Sequence, residues 1–163
     1  MFHSDTHSKT LILCRGLSGS GKSTLAYALV PHYLRFTTDD YFLDSEGNYC
    51  FDRTKLPEAH KWCQAQVQDA MRREGPTVVV HNTFSQAWEA RHYLGLAKHY
   101  GYSVFIVECQ NNFGNTHNVP TQTIERMRDR WEPLTGEPLP LRRILQQRAR
   151  ELKYQIQQKL GLR

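Results

Sequence analysis

Residues 16–23 carry a phosphate-binding pattern. They read G-L-S-G-S-G-K-S, which matches G-x-x-x-x-G-K-S. Glycines in such a loop let successive backbone N–H groups turn inward around an anion, and the N-terminus of a following helix adds partial positive charge. Lys22 is expected to reach the β- and γ-phosphates of a nucleotide, and the Ser23 hydroxyl to ligate Mg²⁺. The sequence therefore predicts a site for ATP or GTP with Mg²⁺, formed by Gly16, Ser18, Gly19, Ser20, Gly21, Lys22, Ser23 and Thr24.

Two carboxylates follow the second apolar segment of the chain. Asp39 and Asp40 come directly after Leu34–Thr37, where the carboxyl end of a strand is expected. Phosphoryl transfer to an alcohol uses one acceptor for the hydroxyl proton, within hydrogen-bond reach of the nucleophile. Because Asp often caps the turn after a strand, one of the pair is expected to do that. We predict that Asp39 is the general base.

Apolar runs alternate with helical patterns around these residues. Such alternation predicts a parallel sheet with helices on both faces, the α/β architecture of P-loop NTPases. Ligands bind such sheets outside the carboxyl ends of the strands. The predicted strands are Thr10–Cys14, Leu34–Thr37, Thr77–His81 and Tyr102–Glu108, and the predicted helices are Lys22–Tyr33, Pro57–Glu74, Gln86–Tyr100 and Pro120–Trp131.

Length and composition limit the number of domains and the class of protein. The 163 residues suffice for one domain, with a core expected over about residues 9–132. The first nine residues are polar and no run of about eighteen apolar residues occurs, so we expect a cytoplasmic protein without a membrane partner. The four cysteines lie far apart without a C-x-x-C pair, and neither a zinc site nor a disulfide framework is indicated.

The C-terminal segment is basic. Residues 142–163 hold seven basic residues and one acidic residue, while the rest of the chain has a net charge of −1. Leucine, isoleucine and alanine recur every three or four positions, which predicts an amphipathic helix over about residues 141–160. Two interpretations remain open. The helix docks its apolar stripe on the body, which we favour, or its charge binds nucleic acid.

Further motifs follow the phosphate loop in a fixed order. They are T-T-D-D-Y-F at Thr37–Phe42, V-V-V-H-N-T at Val78–Thr83, and N-x-H-N-V-P followed by I-E-R-M-R-D-R-W between Asn115 and Trp131. With the loop, they make the chain resemble the P-loop polynucleotide 5′-hydroxyl kinases, typified by the bacteriophage polynucleotide kinase, and their kinase-like ATP-binding relatives. The resemblance implies ATP and Mg²⁺ as cofactors, Asp39 as the general base and a single-stranded nucleic acid end as partner.

The chain departs from that family at two positions. Family members commonly carry an acid at the end of the third strand, where this chain has His81-Asn82. We expect Asn82 to orient a Mg²⁺-bound water and Asp40 to share the metal with Ser23. We expect His81 to be a satisfied polar residue rather than a catalyst.

The second departure concerns the lid. Related kinases have an arginine just before N-x-H, where this chain has Gly114. Arg126 and Arg130, which share a helix face, are the candidates to stabilise the transferred phosphoryl group instead. The alternative is an ordinary charged helix surface.

Together these observations predict an ATP- and Mg²⁺-dependent phosphotransferase that uses Lys22, Asp39, Arg126 and Arg130. The first acceptor hypothesis is a polynucleotide 5′-hydroxyl. A small molecule or nucleoside is the second. The third hypothesis is a nucleotide-binding module without transfer activity, whose ATP state gates an RNA or protein partner.

Overall fold

The computed structural model describes residues 9–114 and 119–134 of the chain. Four parallel strands form one sheet in the order β2-β3-β1-β4. The strands are β1 Thr10–Arg15, β2 Arg35–Phe36, β3 Thr77–His81 and β4 Ser103–Glu108. This confirms the predicted α/β fold with a four-stranded parallel sheet. The predicted basic helix over residues 141–160 and the Asn115–Asn118 part of the N-x-H-N motif lie outside the described residues.

The centre of the sheet is fully apolar. Leu11, Ile12 and Leu13 in β1 are 0% exposed, and so are the valines of β3 from Val78 to Val80. A parallel strand covered by helices on both faces has this continuous apolar sequence, because neither face meets water. Register follows from the pairing of β1 with β3, in which Cys14 lies opposite His81. The residues that follow β1 and β3 therefore emerge side by side.

In the part of the chain that the structure describes, the α-helices are α1 Lys22–Leu29, α2 Leu56–Arg72, α3 Ala87–Tyr100 and α4 Thr121–Asp129. Helix α1 is shorter than predicted and ends at Leu29, because Pro31 forces Val30 into extended backbone. A 3₁₀ turn over His32–Leu34 then leads into β2. Among the described residues, no helix has both the length and the apolar composition needed to cross a membrane.

Two short elements were absent from the predicted pattern. A 3₁₀ turn over Thr38–Phe42 follows β2, and a hairpin joined by the Leu43–Tyr49 bridge follows that turn. The Asp44 carboxylate accepts hydrogen bonds from the backbone N–H groups of Glu46 and Asn48, which closes the hairpin. Both elements lie between β2 and α2, on the side of the sheet where the strands end.

Arg15, the last residue of β1, ties the sheet to the segment after α4. Its side chain is 1% exposed, and its guanidinium stacks 4.0 Å from the centre of the Trp131 ring. Nη2 donates to the Glu132 carbonyl at 2.9 Å, and Nη1 lies 3.5 Å from the half-exposed Glu108 carboxylate. The strand that leads into the phosphate loop is thus anchored at its carboxyl end.

Replacing Arg15 with Met should lower the free energy of unfolding by about 1–3 kcal/mol. The apolar chain still packs on Trp131, but the Glu132 carbonyl loses its buried charged donor. Chemical denaturation measures the change. Arg72→Met, which removes an exposed arginine paired with Asp69, should shift stability by no more than about 0.5 kcal/mol. Equal shifts in the two variants would contradict the anchoring role.

Candidate functional site

The phosphate loop runs from Gly16 to Gly21, between β1 and α1. It passes so close to its neighbours that side chains cannot be added. A Cβ on Gly16 would lie 2.6 Å from the Cys109 carbonyl oxygen, and one on Gly19 would clash with the Gly114 carbonyl. Gly19 also has φ +76°, a conformation that favours glycine. The loop therefore requires glycine for space as well as for conformation.

The beginning of α1 is available to an anion. Gly21 precedes the helix and no side chain caps it, and the first turn contains no acidic residue. The first N–H groups of a helix lack intrahelical partners and carry partial positive charge. Within the described part of the chain, the buried Ser20 hydroxyl also has no hydrogen-bond partner. A phosphate group bound here would supply acceptors for these donors, so the residues fit a nucleotide.

Lys22 lies on the loop itself. Its Nζ donates to the Leu17 carbonyl at 2.8 Å, and burial lowers its pKa while the carboxylate of Asp39 acts in the opposite direction. Binding phosphates requires the ammonium to exchange Leu17 for phosphate oxygens. The charge of Asp39 therefore acts on Lys22, as expected for two groups at the same edge of a parallel sheet.

Asp39 is held by the loop that follows β2. Its backbone N–H donates to the Thr37 hydroxyl at 3.3 Å, which caps the 3₁₀ turn. Its Oδ1 accepts a hydrogen bond from the Tyr49 hydroxyl at 3.3 Å. The carboxylate is thus oriented from two sides, by the end of β2 and by the hairpin.

Asn82 joins the ends of β2 and β3. Its Oδ1 accepts from the Thr38 backbone N–H at 2.9 Å and from the Thr37 hydroxyl at 3.1 Å. An amide oxygen has two lone pairs, and these two bonds occupy both. In this arrangement Asn82 positions Asp39 through Thr37, and its predicted role beside the metal stays a prediction.

His81 is the strand-end residue that approaches the predicted metal ligand. Its Nδ1 lies 3.4 Å from the Ser23 hydroxyl oxygen, and its side chain is 4% exposed. Burial, together with the charges of Lys22 and Arg35, lowers the pKa of His81 to about 4. A neutral imidazole with Nδ1 unprotonated can accept the Ser23 proton and leave the serine oxygen free for Mg²⁺. The sequence-based expectation of a merely satisfied polar residue missed this contact.

Asp40 lines a different part of the surface. It borders a groove of about 800 Å³ beside β2, together with His32, Arg35 and Trp62. Burial raises the pKa of its carboxyl group, and His32 counteracts that effect. Its charged neighbours are therefore those of the β2 edge, and its predicted role as a metal ligand stays a prediction.

The two candidate arginines of α4 have separate environments. Nε of Arg130, directly after the helix, donates to the Ser85 hydroxyl at 3.1 Å, which ties it to the loop before α3. Arg126 lies exposed in the last turn of the helix. Arg130 thus has a structural partner in the segment before α3, and the transfer role predicted for both residues stays a prediction.

A glycine-rich loop between β1 and α1 of a parallel sheet, with a lysine and a serine at the helix start, defines a P-loop nucleotide-binding domain of the kinase-like class. Residues 11–112 match the model of the family AAA_33, described as an AAA domain. The match covers more than half of the chain, which therefore belongs to this family.

Two relatives share sequence over most of the chain. Human NEDD4-binding protein 2 is 34% identical over 141 residues, which are 79% of this chain. The chain spans only 8% of the length of that protein. The uncharacterized protein PM0531 of Pasteurella multocida is 31% identical over 133 residues, covering 73% of this chain and 74% of that protein.

Solved structures share the fold. A putative kinase from Chloroflexus aurantiacus superposes with a TM-score of 0.56 at 18% identity, over 81% of this chain and 86% of that one. A chain of the Pnkp1/Rnl/Hen1 RNA repair complex superposes with a TM-score of 0.52 at 18% identity, over 97% of this chain and 49% of that one. At these identities the likeness defines the architecture, a kinase-like P-loop fold.

Acidification should destabilise the nucleotide-free protein through His81. The unfolded histidine binds a proton below about pH 6.5, whereas the folded one does so only below about pH 4. Stability is therefore fully present above pH 6.5 and falls as the pH decreases to 4, by up to about 3 kcal/mol from this residue. Chemical denaturation between pH 4 and pH 7.5 measures the slope.

His81→Gln removes the titrating group and should flatten this slope, whereas His99→Gln, at an exposed position, should keep it. A slope that is unchanged in the His81 variant would contradict the assigned pKa.

Proposed function

We propose that this protein is an ATP- and Mg²⁺-dependent phosphotransferase that moves the γ-phosphate to a hydroxyl group, with a polynucleotide 5′-hydroxyl as acceptor. The observation that carries the proposal is the phosphate loop, whose uncapped helix start and Lys22 fit a nucleotide, with Asp39 held after β2 at the same edge of the sheet. The lysine belongs to the phosphate loop, and the carboxylate of Asp39 influences its pKa. A cation for the phosphates and a base for the acceptor are the two groups that such a transfer needs.

The chain's own residues have distinct tasks in this reaction. The loop N–H groups and Lys22 bind the phosphates, and Lys22 neutralises the charge that builds up on the departing β-phosphate. Asp39 accepts the proton of the acceptor hydroxyl as its oxygen forms a bond to the γ-phosphorus. The bond from that phosphorus to the β–γ bridging oxygen breaks, and its electron pair leaves with ADP.

Ser23 is the side chain that fits the metal. Its hydroxyl lies at the start of α1, and His81 is within reach of its proton at 3.4 Å. When bound there, Mg²⁺ supplies charge neutralisation and orientation of the β- and γ-phosphate oxygens. The role of His81 is to orient the serine oxygen, which makes it a positioning residue.

Two further observations support a polynucleotide as the acceptor. The motifs around Asp39, Asn82 and Asn115–Trp131 resemble those of polynucleotide 5′-hydroxyl kinases, and the fold is shared with a chain of an RNA repair complex. Both observations support a polynucleotide end. A small molecule or nucleoside as acceptor, or nucleotide binding without transfer, are the alternative outcomes of the test.

The test offers the purified protein γ-labelled ATP and Mg²⁺ with one acceptor at a time: 5′-hydroxyl RNA, 5′-hydroxyl DNA, nucleosides, or water alone. Label on a polynucleotide end supports the proposal. Label on a nucleoside alone would change the acceptor class. Nucleotide binding without labelling of any acceptor would contradict phosphotransfer and favour a binding module.

Lys22→Ala should abolish productive nucleotide use, since it removes the cation from the β- and γ-phosphates. The rate of γ-phosphate transfer at saturating ATP measures the loss. Lys61→Ala, at an exposed position on α2, is the matched control and should keep the wild-type rate. Turnover within about twofold of wild type in the Lys22 variant would refute the phosphate-loop assignment.

Asp39→Asn should lower the transfer rate about a hundredfold or more and leave ATP affinity within a few fold. A general base acts on the acceptor rather than on the bound nucleotide, so chemistry and binding separate. Single-turnover rates and calorimetric ATP binding measure the two quantities. Equal losses in both would mark Asp39 as part of the metal shell, and no loss in either would exclude it as the base.

A further inference from the structure

An aromatic surface lies beside Asp39. It is made of Phe42, Tyr49 and Phe51, which we call the aromatic shelf. Phe42 is 4% exposed and forms its floor, while Phe51 is 53% exposed. The Phe42 and Phe51 rings lie 5.0 Å apart between centroids, and the Tyr49 and Phe51 rings are nearly parallel, with an angle of 14° at 6.3 Å. The exposed ring is therefore supported by two others.

The hairpin fixes the position of the shelf. The Cys50 backbone N–H donates to the Phe42 carbonyl at 2.7 Å, which ties the second hairpin strand to the 3₁₀ turn. After Phe51, the Asp52 carboxylate accepts from the Thr54 backbone N–H at 2.9 Å and begins the turn before α2. Phe51 thus lies between two hydrogen-bonded anchors. The Phe51 ring is therefore held in place and half exposed, so its face is available to a planar ligand.

The shelf continues directly into the site. The Tyr49 hydroxyl donates to Asp39 Oδ1 at 3.3 Å, so one hydrogen bond separates the shelf from the proposed base. An acceptor whose flat face lies on Phe51 would have its neighbouring atoms near the Asp39 carboxylate. A ligand of the shelf therefore has to combine a flat face with a group that reaches Asp39.

We propose that the aromatic shelf binds the nucleobase attached to the acceptor's 5′-hydroxyl sugar, by stacking on Phe51. The proposal rests on the proposed function, since it assigns the acceptor subsite of that reaction. Every nucleobase has a π face, and stacking on aromatic side chains is tolerant of sequence. The base belongs either to the end of a single strand or to a free nucleoside.

The charges around the shelf favour an unphosphorylated end. The hairpin and the residue after Phe51 carry Asp44, Glu46 and Asp52. Hydrogen bonds from Asn48 hold the pKa of Asp44 below its usual value, so this carboxylate is ionised at neutral pH. A 5′-phosphate brought to Asp39 would meet like charge. We expect 5′-hydroxyl ends to bind better than 5′-phosphate ends, by a ratio that decreases as salt is added.

The test uses the full chain with Mg²⁺, a non-hydrolysable ATP analogue, and a 5′-hydroxyl RNA hexamer carrying 2-aminopurine at its first position. Stacking on Phe51 quenches the fluorescence of this base. Phe51→Ala should weaken binding by about 5- to 150-fold, the range for losing one stacked base. Phe51→Trp should retain binding, and Phe51→Leu, which preserves an apolar side chain, should lose most of it.

Matched controls distinguish the loss of stacking from a general loss of folding or binding. Tyr33 is 72% exposed and precedes β2, at the opposite end of that strand from Asp39, so Tyr33→Ala should bind as the wild type does. A hexamer with an abasic first position should lose affinity for the wild type and bind equally to wild type and Phe51→Ala. Free adenosine and a 5′-phosphorylated hexamer complete the set and identify the source of the base.

The outcomes distinguish this proposal from the proposed function. Phe51-dependent quenching without transfer of label from γ-labelled ATP would keep the shelf as a nucleobase site and refute the phosphotransferase. Equal phosphorylation of base-bearing and abasic ends would keep the phosphotransferase and overturn the shelf. Equal affinity of Phe51→Ala and wild type for the hexamer would also overturn it.

Discussion

The phosphate loop imposes the constraint on which the rest of the structure depends. A buried turn must keep N–H groups available for an anion, although buried donors are normally paired. Hydrogen bonds hold the loop at its first residue and at the Gly19 carbonyl. The Gly16 N–H donates to the Thr83 carbonyl, and the Gly19 carbonyl accepts from Phe113. Arg15 fixes the strand below through Trp131 and Glu132. Neighbours on three sides thus hold the loop in place, and the carbonyls of Cys109 and Gly114 leave no space for side chains at Gly16 and Gly19.

Parallel pairing then brings the other functional groups to the loop. Because Cys14 lies opposite His81, the end of β3 reaches the beginning of α1, and Asn82 reaches the end of β2. The polar residues His81 and Asn82 at the end of β3 thereby contact two different elements, α1 and the turn after β2. His81 faces the Ser23 hydroxyl, while Asn82 holds the backbone that carries Asp39. Neutral side chains here leave Asp39 as the carboxylate that acts on Lys22. The end of β3 thus contacts the predicted metal ligand Ser23 directly and the predicted base Asp39 through Thr37.

Periodicity was enough to predict the sheet and the helices around it, because each depends on many residues in one pattern, and the G-x-x-x-x-G-K-S motif was enough to predict the phosphate loop. Contacts between individual side chains could not be predicted in the same way. The strand-end motif did not reveal which of His81 and Asn82 faces Ser23, since alternation along a strand fixes faces only when its register is known. Helical spacing put Arg126 and Arg130 on one face, but Arg130 bonds to Ser85, which is 45 residues away in sequence. The hairpin after Phe42 has no apolar periodicity, so its role in presenting Phe51 required the structure.

The shortness of β2 has a consequence for association. This edge strand contains two residues, and 3₁₀ turns flank it on both sides. An exposed edge is a template on which a second chain can add a strand, and natural sheets limit that hazard by keeping edge strands short. At the β2 edge, few backbone groups remain in line for such pairing. The shortness of β2 therefore protects this edge of the sheet from strand-by-strand aggregation, and the charged Arg35 within the strand acts in the same direction.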